Sequence, residues 1–446
     1  MKKIIYILSI GLLLISSCSK PEVEPLFDKL PEERMLERNA ELTGVLLGGE
    51  NGWKAFLKTS LRGGGYGFYM DFDDQNKVTM VADWDDESAK TPKESTYRVQ
   101  YISNSTLIFD TYTYITILQD PNNVHNGGTQ KEGLQSDIEF EYTKMSGDTV
   151  FLTGRKYRNT LYLIKATEAE QQSYSDGVYD GAVNKTKNLF ATSFPRIVLD
   201  DGGEQKKIEI GISNNSKLIS SDYLAQEGSI ISSNTGFAFT LDGLYFVDNL
   251  VSEGIRFAGL RWKGDDVVVY DVLGREYAVE QGAEPGIPLD ILLGVKYKLQ
   301  AKLKTINPGM TSKGEDIIKQ YVNNLDNRYS GYVFNNGTLT LTFDLANRRL
   351  TVDGWHNQNG NSGWTTTIVF DYIKDESTGE YSFTRRTAAS GGYVSILMTE
   401  EGKPNIQDFL LNNKIKIDYY AADGIAYGRM TSVTNPDIVV TWDLIQ

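Results

Sequence analysis

Short runs of alternating apolar and polar residues, separated by turn residues, recur along this chain and restrict much of it to antiparallel sheet. In Tyr66-Gly67-Phe68-Tyr69-Met70-Asp71-Phe72 large apolar side chains recur at period two. Asp73-Asp74-Gln75-Asn76 supplies a turn, and Val78-Thr79-Met80-Val81 runs back. Similar runs follow at 96–102, 106–113, 138–143, 149–154 and 160–165. A middle group lies near 197–199, 207–212, 237–241, 244–247, 255–262 and 267–272. The 42 Gly and 26 Tyr against 11 Pro fit many strands and turns. The expected fold class is mainly β (α+β), with antiparallel meanders forming sandwich or partial-barrel domains and a few helices.

Helical periodicity is confined to a few places. The stretch Leu30–Leu57 opens with Pro31-Glu32-Glu33, acidic residues suited to the positive end of a helix dipole. Gly48-Gly49-Glu50-Asn51-Gly52 interrupts it, so two helices are expected, the second carrying Trp53, Phe56 and Leu57. Thr167–Tyr174 reads as a short helix with Thr167 capping and Glu170 three residues on. A further helix is expected from about Gly314 to Asp326, with Ile317, Ile318, Tyr321, Val322 and Leu325 on one face. The resulting organisation is a signal peptide at 1–17, a lipidated tether at 18–29, a helix plus β-meander domain at 30–166, a middle β-rich domain at 167–310, and a C-terminal helix plus β-meander domain at 311–446. Helix, hairpin and a tryptophan closing the return strand occur at both ends of the chain. Either residues around 36–166 and 314–446 descend from a duplication, or both use common hairpin chemistry.

The N-terminus carries an address. Met1-Lys2-Lys3 is basic, Ile4–Ile15 is apolar yet short for a membrane span, and Ser16-Ser17 precede Cys18. This resembles the bacterial lipobox, with Ile15 where Leu is commoner. The resemblance implies a diacylglyceryl thioether on Cys18 and cleavage before it. Several acyl chains, at roughly 0.8 kcal/mol per buried methylene, anchor stably where one does not. Cys18 is the only cysteine, so neither a disulfide framework nor a thiolate metal site can form within one chain. Ser19-Lys20-Pro21-Glu22-Val23-Glu24-Pro25 reads as a polar tether, and its Lys-then-acidic run resembles the export signal of Bacteroidota surface lipoproteins. The expected location is the outer membrane, lipid-anchored and exposed at the cell surface. Without Lys2 and Lys3, 45 basic residues become 43 against 59 acidic, a net charge of −16 that disfavours nucleic acid as a partner.

Catalytic motifs are sparse. His125 and His356 are the only histidines, which excludes a His-rich zinc site and the HExxH metallopeptidase pattern. Both sit in stretches that read as polar loops, with no Gly-x-Ser-x-Gly elbow nearby. Asp71, Asp73 and Asp74 lack the distal Glu and the bend glycine of a calcium loop and read as a hairpin turn. Asp83-Trp84-Asp85-Asp86-Glu87 reads as a charged loop after a strand. Asp148-Thr149-Val150 either starts a strand or resembles a Bacteroidota O-glycosylation acceptor. No catalytic residue, metal ligand or cofactor is assigned. Paired carboxylates remain open, since glycoside hydrolysis needs only two and spacing cannot find them. Trp355 to Trp364 is the most suggestive segment: two indoles flank Asn357, Gln358, Asn359, Asn361 and Ser362. Flat aromatic faces with amides suit sugar recognition; the alternative is a long hairpin loop whose tryptophans cover the sheet beneath.

The lipobox, the early helix ending in Asn51-Gly52-Trp53, the Tyr/Phe-rich hairpin and Gly147-Asp148-Thr149-Val150-Phe151-Leu152-Thr153-Gly154 together resemble Bacteroidota lipoproteins of domain-of-unknown-function family 4302. That resemblance implies proximity to a TonB-dependent (SusC-like) importer and a SusD-like lipoprotein, and carries no active residues. The expected function is a non-catalytic binding or accessory component of nutrient uptake, with a glycan, peptide or chelate as ligand. The alternatives are a carboxylate-dependent, glycan-acting hydrolase and a structural or adhesive surface protein.

Overall fold

The computed structural model describes residues 29–200, 202–203, 205–328, 333–360, 362–388, 390 and 396–445. The lipidation site expected at Cys18, with the signal peptide before it, lies outside the described residues. Among the described residues twenty-four strands form three closed, eight-stranded barrels in chain order. The mainly β, antiparallel class is borne out, and each meander closes on itself. Closure removes the unpaired sheet edges that an open meander of this length would expose.

Two compact units emerge. One comprises the described residues up to Ala55 with Tyr69–Met80 and Lys93–Thr167; the other comprises Phe56–Phe68, Val81–Pro92 and the described residues from Glu168 onward. In the first, the helix Pro31–Leu47 begins with Pro31, whose missing N–H suits the first turn, and buries Leu42 and Leu46. Ser105 Oγ donates to Asn39 Oδ1 on this helix at 2.6 Å, and Trp53 Nε1 donates to the Leu46 carbonyl at 2.9 Å. The second helix expected after Gly52 is instead the strand Trp53–Lys58. Trp53, Phe56 and Leu57 satisfy helical spacing, yet Trp53, Ala55 and Leu57 are fully buried at period two. Six residues are too few for sequence periodicity to separate the two. At the turn expected around Asp73, Asp73 Oδ1 accepts the backbone N–H groups of Gln75 and Lys77.

The second unit holds two whole barrels. One runs from Phe194–Leu199 to Glu276–Gly282, those strands closing it through pairs such as Ile197 with Val279. The other runs from Lys298–Lys302 to Val439–Ile445, which also pair with each other. Its first strand precedes the helix Ser312–Arg328 and so lies ahead of residue 311. That helix buries Ile317, Ile318 and Tyr321. A helix at Val178–Thr192 was not anticipated; it buries Tyr179, Val183, Thr186 and Leu189, and the Tyr179 hydroxyl donates to the Phe239 carbonyl at 3.0 Å.

The segment read as a charged loop, 83–87, is a bend at 83–85 that leads into a short helix, and its first carboxylate is buried. The Asp83 side chain is inaccessible to solvent and lies 2.7 Å from Lys217 Nζ, itself almost fully buried. Asp83 also accepts the backbone N–H groups of Gly67 (3.0 Å) and Phe239 (2.8 Å). The Lys217 ammonium faces the rings of Phe237 and Phe239 at 4.7 and 4.4 Å. Burial pulls the Lys217 ammonium below the usual lysine range, against the pull of Asp83. Asp85 caps the short helix Asp86–Lys90 by accepting from the Ser88 N–H at 2.7 Å.

Candidate binding cavity at one end of the second barrel

Four hairpins gather at one end of the second barrel, between strands ending and restarting at 199 and 206, 224 and 230, 252 and 255, and 271 and 276. The tightest turns at Glu253-Gly254, both with positive φ (50° and 72°), the backbone of a two-residue hairpin. A cavity of about 880 Å3 opens here and meets both faces of the paired strands Phe194–Leu199 and Lys206–Ser213. Pairing register assigns its walls. Lys206 pairs with Leu199, and Ile255 with Ser252, so each pair shares one face of the sheet. Tyr277 joins them through its ring contact with Phe257, centroids 5.3 Å apart. Across the strand, Glu209 pairs with Arg196 and Arg196 with Glu280, forming a charged row on the opposite face.

Ion pairs organise both faces. Lys206 Nζ lies 2.5 Å from Glu253 Oε2, and the Tyr223 hydroxyl also hydrogen-bonds Glu253. The Lys206 hydrogen bond holds the Glu253 carboxyl below the usual range. On the opposite face, Arg196 Nη1 lies 3.3 Å from Glu280, which Lys207 also pairs with. Glu209 accepts the backbone N–H groups of Gly286 (2.7 Å) and Ile287 (3.4 Å), and burial raises its pKa. Asp271, nearly inaccessible, accepts from Arg275 Nε at 2.7 Å and from the Tyr277 hydroxyl at 3.2 Å. Two buried hydroxyls of this barrel, Ser221 in mid-strand and Ser252 at a strand end, have no hydrogen-bond partner among the described residues, and neither lines the cavity. Such groups call for a water or a ligand atom. The arrangement offers charges of both signs and the apolar surfaces of Leu199 and Ile255. It suits binding: the carboxylates at the cavity are held by protein donors.

The tryptophan segment is arranged differently from its sequence reading. Arg349–Gln358 and Ser362–Asp375 are long paired strands, so 355–364 is a hairpin end with a short tip and not a long loop. His356 pairs with Trp364 while Trp355 pairs with Thr365. The alternation therefore places the two half-exposed indoles on opposite faces of the sheet. Their neighbouring amides bond within the protein. Asn335 Nδ2 donates to Asn357 Oδ1 at 2.9 Å, Asn359 Oδ1 accepts the Val333 N–H at 2.8 Å, and Gln358 is buried beside His356. Asn361 lies outside the described residues.

Neither histidine sits in an irregular loop. His356 is buried in its strand, with Nδ1 2.9 Å from the Tyr321 hydroxyl and Nε2 3.3 Å from Gln358 Oε1. The acceptor at Gln358 places the proton on Nε2, so Tyr321 donates to Nδ1. Burial lowers the His356 pKa and raises that of Tyr321. His125 lies in the short helix Asn123–Asn126 with Nδ1 2.8 Å from Asp120, which also accepts from Tyr112 at 2.6 Å. These hydrogen bonds, Tyr112 first, hold the Asp120 carboxyl at about 2. Among the described residues no cluster of His, Cys, Asp and Glu has the arrangement of a metal site, and no helix is long and apolar enough to cross a membrane.

Residues 23–264, more than half of the 446-residue chain, match the model of a family described as Domain of unknown function (DUF4302). No curated protein matches the chain.

Proposed function

The chain belongs to the DUF4302 family, and on that premise we propose that it is a surface-exposed, lipid-anchored outer-membrane protein of Bacteroidota type. It serves as a non-catalytic binding or accessory component of a TonB-dependent nutrient uptake system, beside a SusD-like lipoprotein. The segment Lys2-Lys3, Ile4–Ile15, Ser16-Ser17-Cys18 carries the address. Support for a binding role comes from the 880 Å3 cavity, a volume within the range of small-molecule sites. At its edge Lys206 and Glu253 pair with each other.

One observation favours the rival hydrolase: Glu209, with its pKa raised, and Glu253, with its pKa lowered, border the same cavity. Against it, both Glu209 oxygens accept backbone N–H groups, which holds that carboxylate on the wall. The test of the address is metabolic labelling with a palmitate analogue in a Bacteroidota host. Label on the wild type but not on Cys18→Ala, loss of surface protease sensitivity in that variant, and co-purification of importer subunits are expected. An unlabelled wild-type chain overturns the anchored reading.

A further inference from the structure

We propose that a second cavity, between the outer face of the second barrel and the third barrel, binds an uncharged sugar, its hydroxyls on the barrel face and its ring against Tyr297. The inference rests on the binding role proposed above and gives it a ligand class and a place.

Strand pairing builds one wall. Gly211 pairs with Ser220 and Ser220 with Asn234, while two residues along Glu209 pairs with Asp222. Paired residues, and alternate residues along a strand, share one face of the sheet. All five border a cavity of about 480 Å3, a volume within the range of small-molecule sites. From the other side Leu292 and Tyr297 of the connecting segment and Ala426 and Leu444 of the third barrel border it. A polar sheet face thus looks across at apolar and aromatic surface, all within the second unit.

The strand glycine is the observation that carries a ligand here. The φ of Gly211 lies outside the left-handed region, so its backbone does not require glycine. Glycine inside a strand weakens it and marks a place where another backbone or a ligand comes close. No backbone does: a Cβ at Gly211 would meet nothing nearer than Ser220 Oγ at 3.8 Å. The missing side chain leaves room that belongs to the cavity.

Charge selects the ligand class. Asp222 Oδ2 lies 2.6 Å from Lys296 Nζ, and Asp222 Oδ1 accepts from Ser232 Oγ. Glu209 accepts the backbone N–H groups of Gly286 and Ile287. A charged ligand would have to take one of these partners from side chains largely shielded from water, Asp222 at 13% and Lys296 at 32% exposure. Neutral groups are what remains. The Asn234 carboxamide makes no hydrogen bond among the described residues. Ser213 Oγ, also at the cavity, accepts the Ser216 N–H at 3.3 Å and keeps its own proton free. Ser220 makes one long bond of 3.4 Å to the Gly211 carbonyl. Amides and hydroxyls both donate and accept, as sugar hydroxyls require. Tyr297 offers a ring face, and burial raises its pKa, so its hydroxyl stays protonated at neutral pH. A sugar ring, polar at its rim and apolar on its C–H faces, matches both walls.

Calorimetry on the full mature chain tests this with maltose, cellobiose and N,N′-diacetylchitobiose, set against glucose 6-phosphate and an N-acetylated, C-amidated tetra-L-alanine. At least one disaccharide is expected to bind about tenfold more tightly than the phosphate and the peptide. Gly211→Val fills the space from a strand position that favours Val, and is expected to abolish binding with an unchanged or raised melting temperature. Asn234→Ala is expected to weaken binding about fivefold. Sugar binding that survives Gly211→Val overturns this cavity as the site. Tighter binding of glucose 6-phosphate overturns the requirement for an uncharged ligand. Tighter binding of the blocked peptide, lost in Gly211→Val, overturns the sugar class and leaves a binding role in place. Absence of heat with every probe at millimolar concentration overturns the proposal. The lipid label on Cys18 is read separately, so failure here and failure of the anchored reading give different results.

Discussion

Two lysine–carboxylate pairs in the same unit differ in one respect that decides their roles. Lys217 and Asp83 meet at 2.7 Å with side chains 4% and 0% exposed; Lys206 and Glu253 meet at 2.5 Å with side chains 43% and 21% exposed. Lys217 and Glu253 even share a left-handed backbone, φ 54° and 50°, at turns between strands. The buried pair is surrounded by partners: two backbone N–H groups on Asp83 and aromatic rings around the ammonium. Its desolvation is already complete, so either charge left alone is costly. The open pair keeps water and borders a cavity, so its charges can change partners. Identical chemistry thus serves as an internal brace in one place and as a solvent-exposed contact in the other.

The largest expected effect comes from breaking the brace on one side. Asp83→Ala strands the Lys217 ammonium and two backbone donors, and is expected to cost about 3–5 kcal/mol in urea unfolding. Asp83→Asn combined with Lys217→Met removes both charges and retains an acceptor, and should cost markedly less than Asp83→Ala alone. If Asp83→Ala costs less than about 1 kcal/mol, the distinction between the two pairs fails.

The third barrel extends the comparison to a neutral polar cluster. Gly354 sits where an added Cβ would lie 2.7 Å from Met398 Sδ and 2.9 Å from Tyr321 Cε2. Gly354→Ala therefore pushes Tyr321 away from His356 and is expected to cost about 1–3 kcal/mol, read as a lowered unfolding midpoint. A fully retained midpoint would mean that the Tyr321–His356 contact is soft.

Protonation probes the same cluster more gently. His356 is neutral when folded, with Nδ1 accepting from Tyr321, and its pKa lies below the ordinary value near 6.5 because burial disfavours the cation. Below that pH the unfolded chain binds a proton that the folded chain does not. Stability therefore rises with pH in this window and is lost as pH falls from about 6.5 towards the folded pKa. The slope approaches at most about 1.4 kcal/mol per pH unit. Relative to His356→Asn, the wild type should lose stability as the pH falls below about 6.5, the loss ceasing once the folded imidazole itself takes up the proton. Parallel stability curves for the two proteins would show that His356 ionises freely.

Much of the fold was legible because strand periodicity is local. The runs at 66–72 and 78–81 are strands Gly65–Phe72 and Lys77–Ala82, and the helix expected near 314–326 is Ser312–Arg328. What failed is non-local or ambiguous at short range. Trp53–Lys58 satisfied two periodicities at once. His356 looked like a loop residue because its neighbours Asn357, Gln358 and Asn359 are polar, yet alternation across a closed barrel turns it inward. Polar content at 355–364 suggested a site, and pairing register then separated its indoles. The cavity carried almost no local signal: Leu199, Lys206, Glu253 and Tyr277 come from three hairpins that only closure brings together. Nothing in the dipeptide Glu253-Gly254 foretells which lysine meets it.

The smallest effect sharpens the opening contrast from its other side. If Lys206 and Glu253 are a solvent-exposed contact, removing one of them should hardly disturb the fold. Glu253→Gln keeps an oxygen for the Tyr223 hydroxyl and leaves Lys206 partly in water, so no buried charge is stranded. A few tenths of a kcal/mol is expected in urea unfolding, shrinking further in high salt as the remaining attractions are screened. A loss near the value for Asp83→Ala would place this pair with the brace, and the cavity would then need another explanation for its charges.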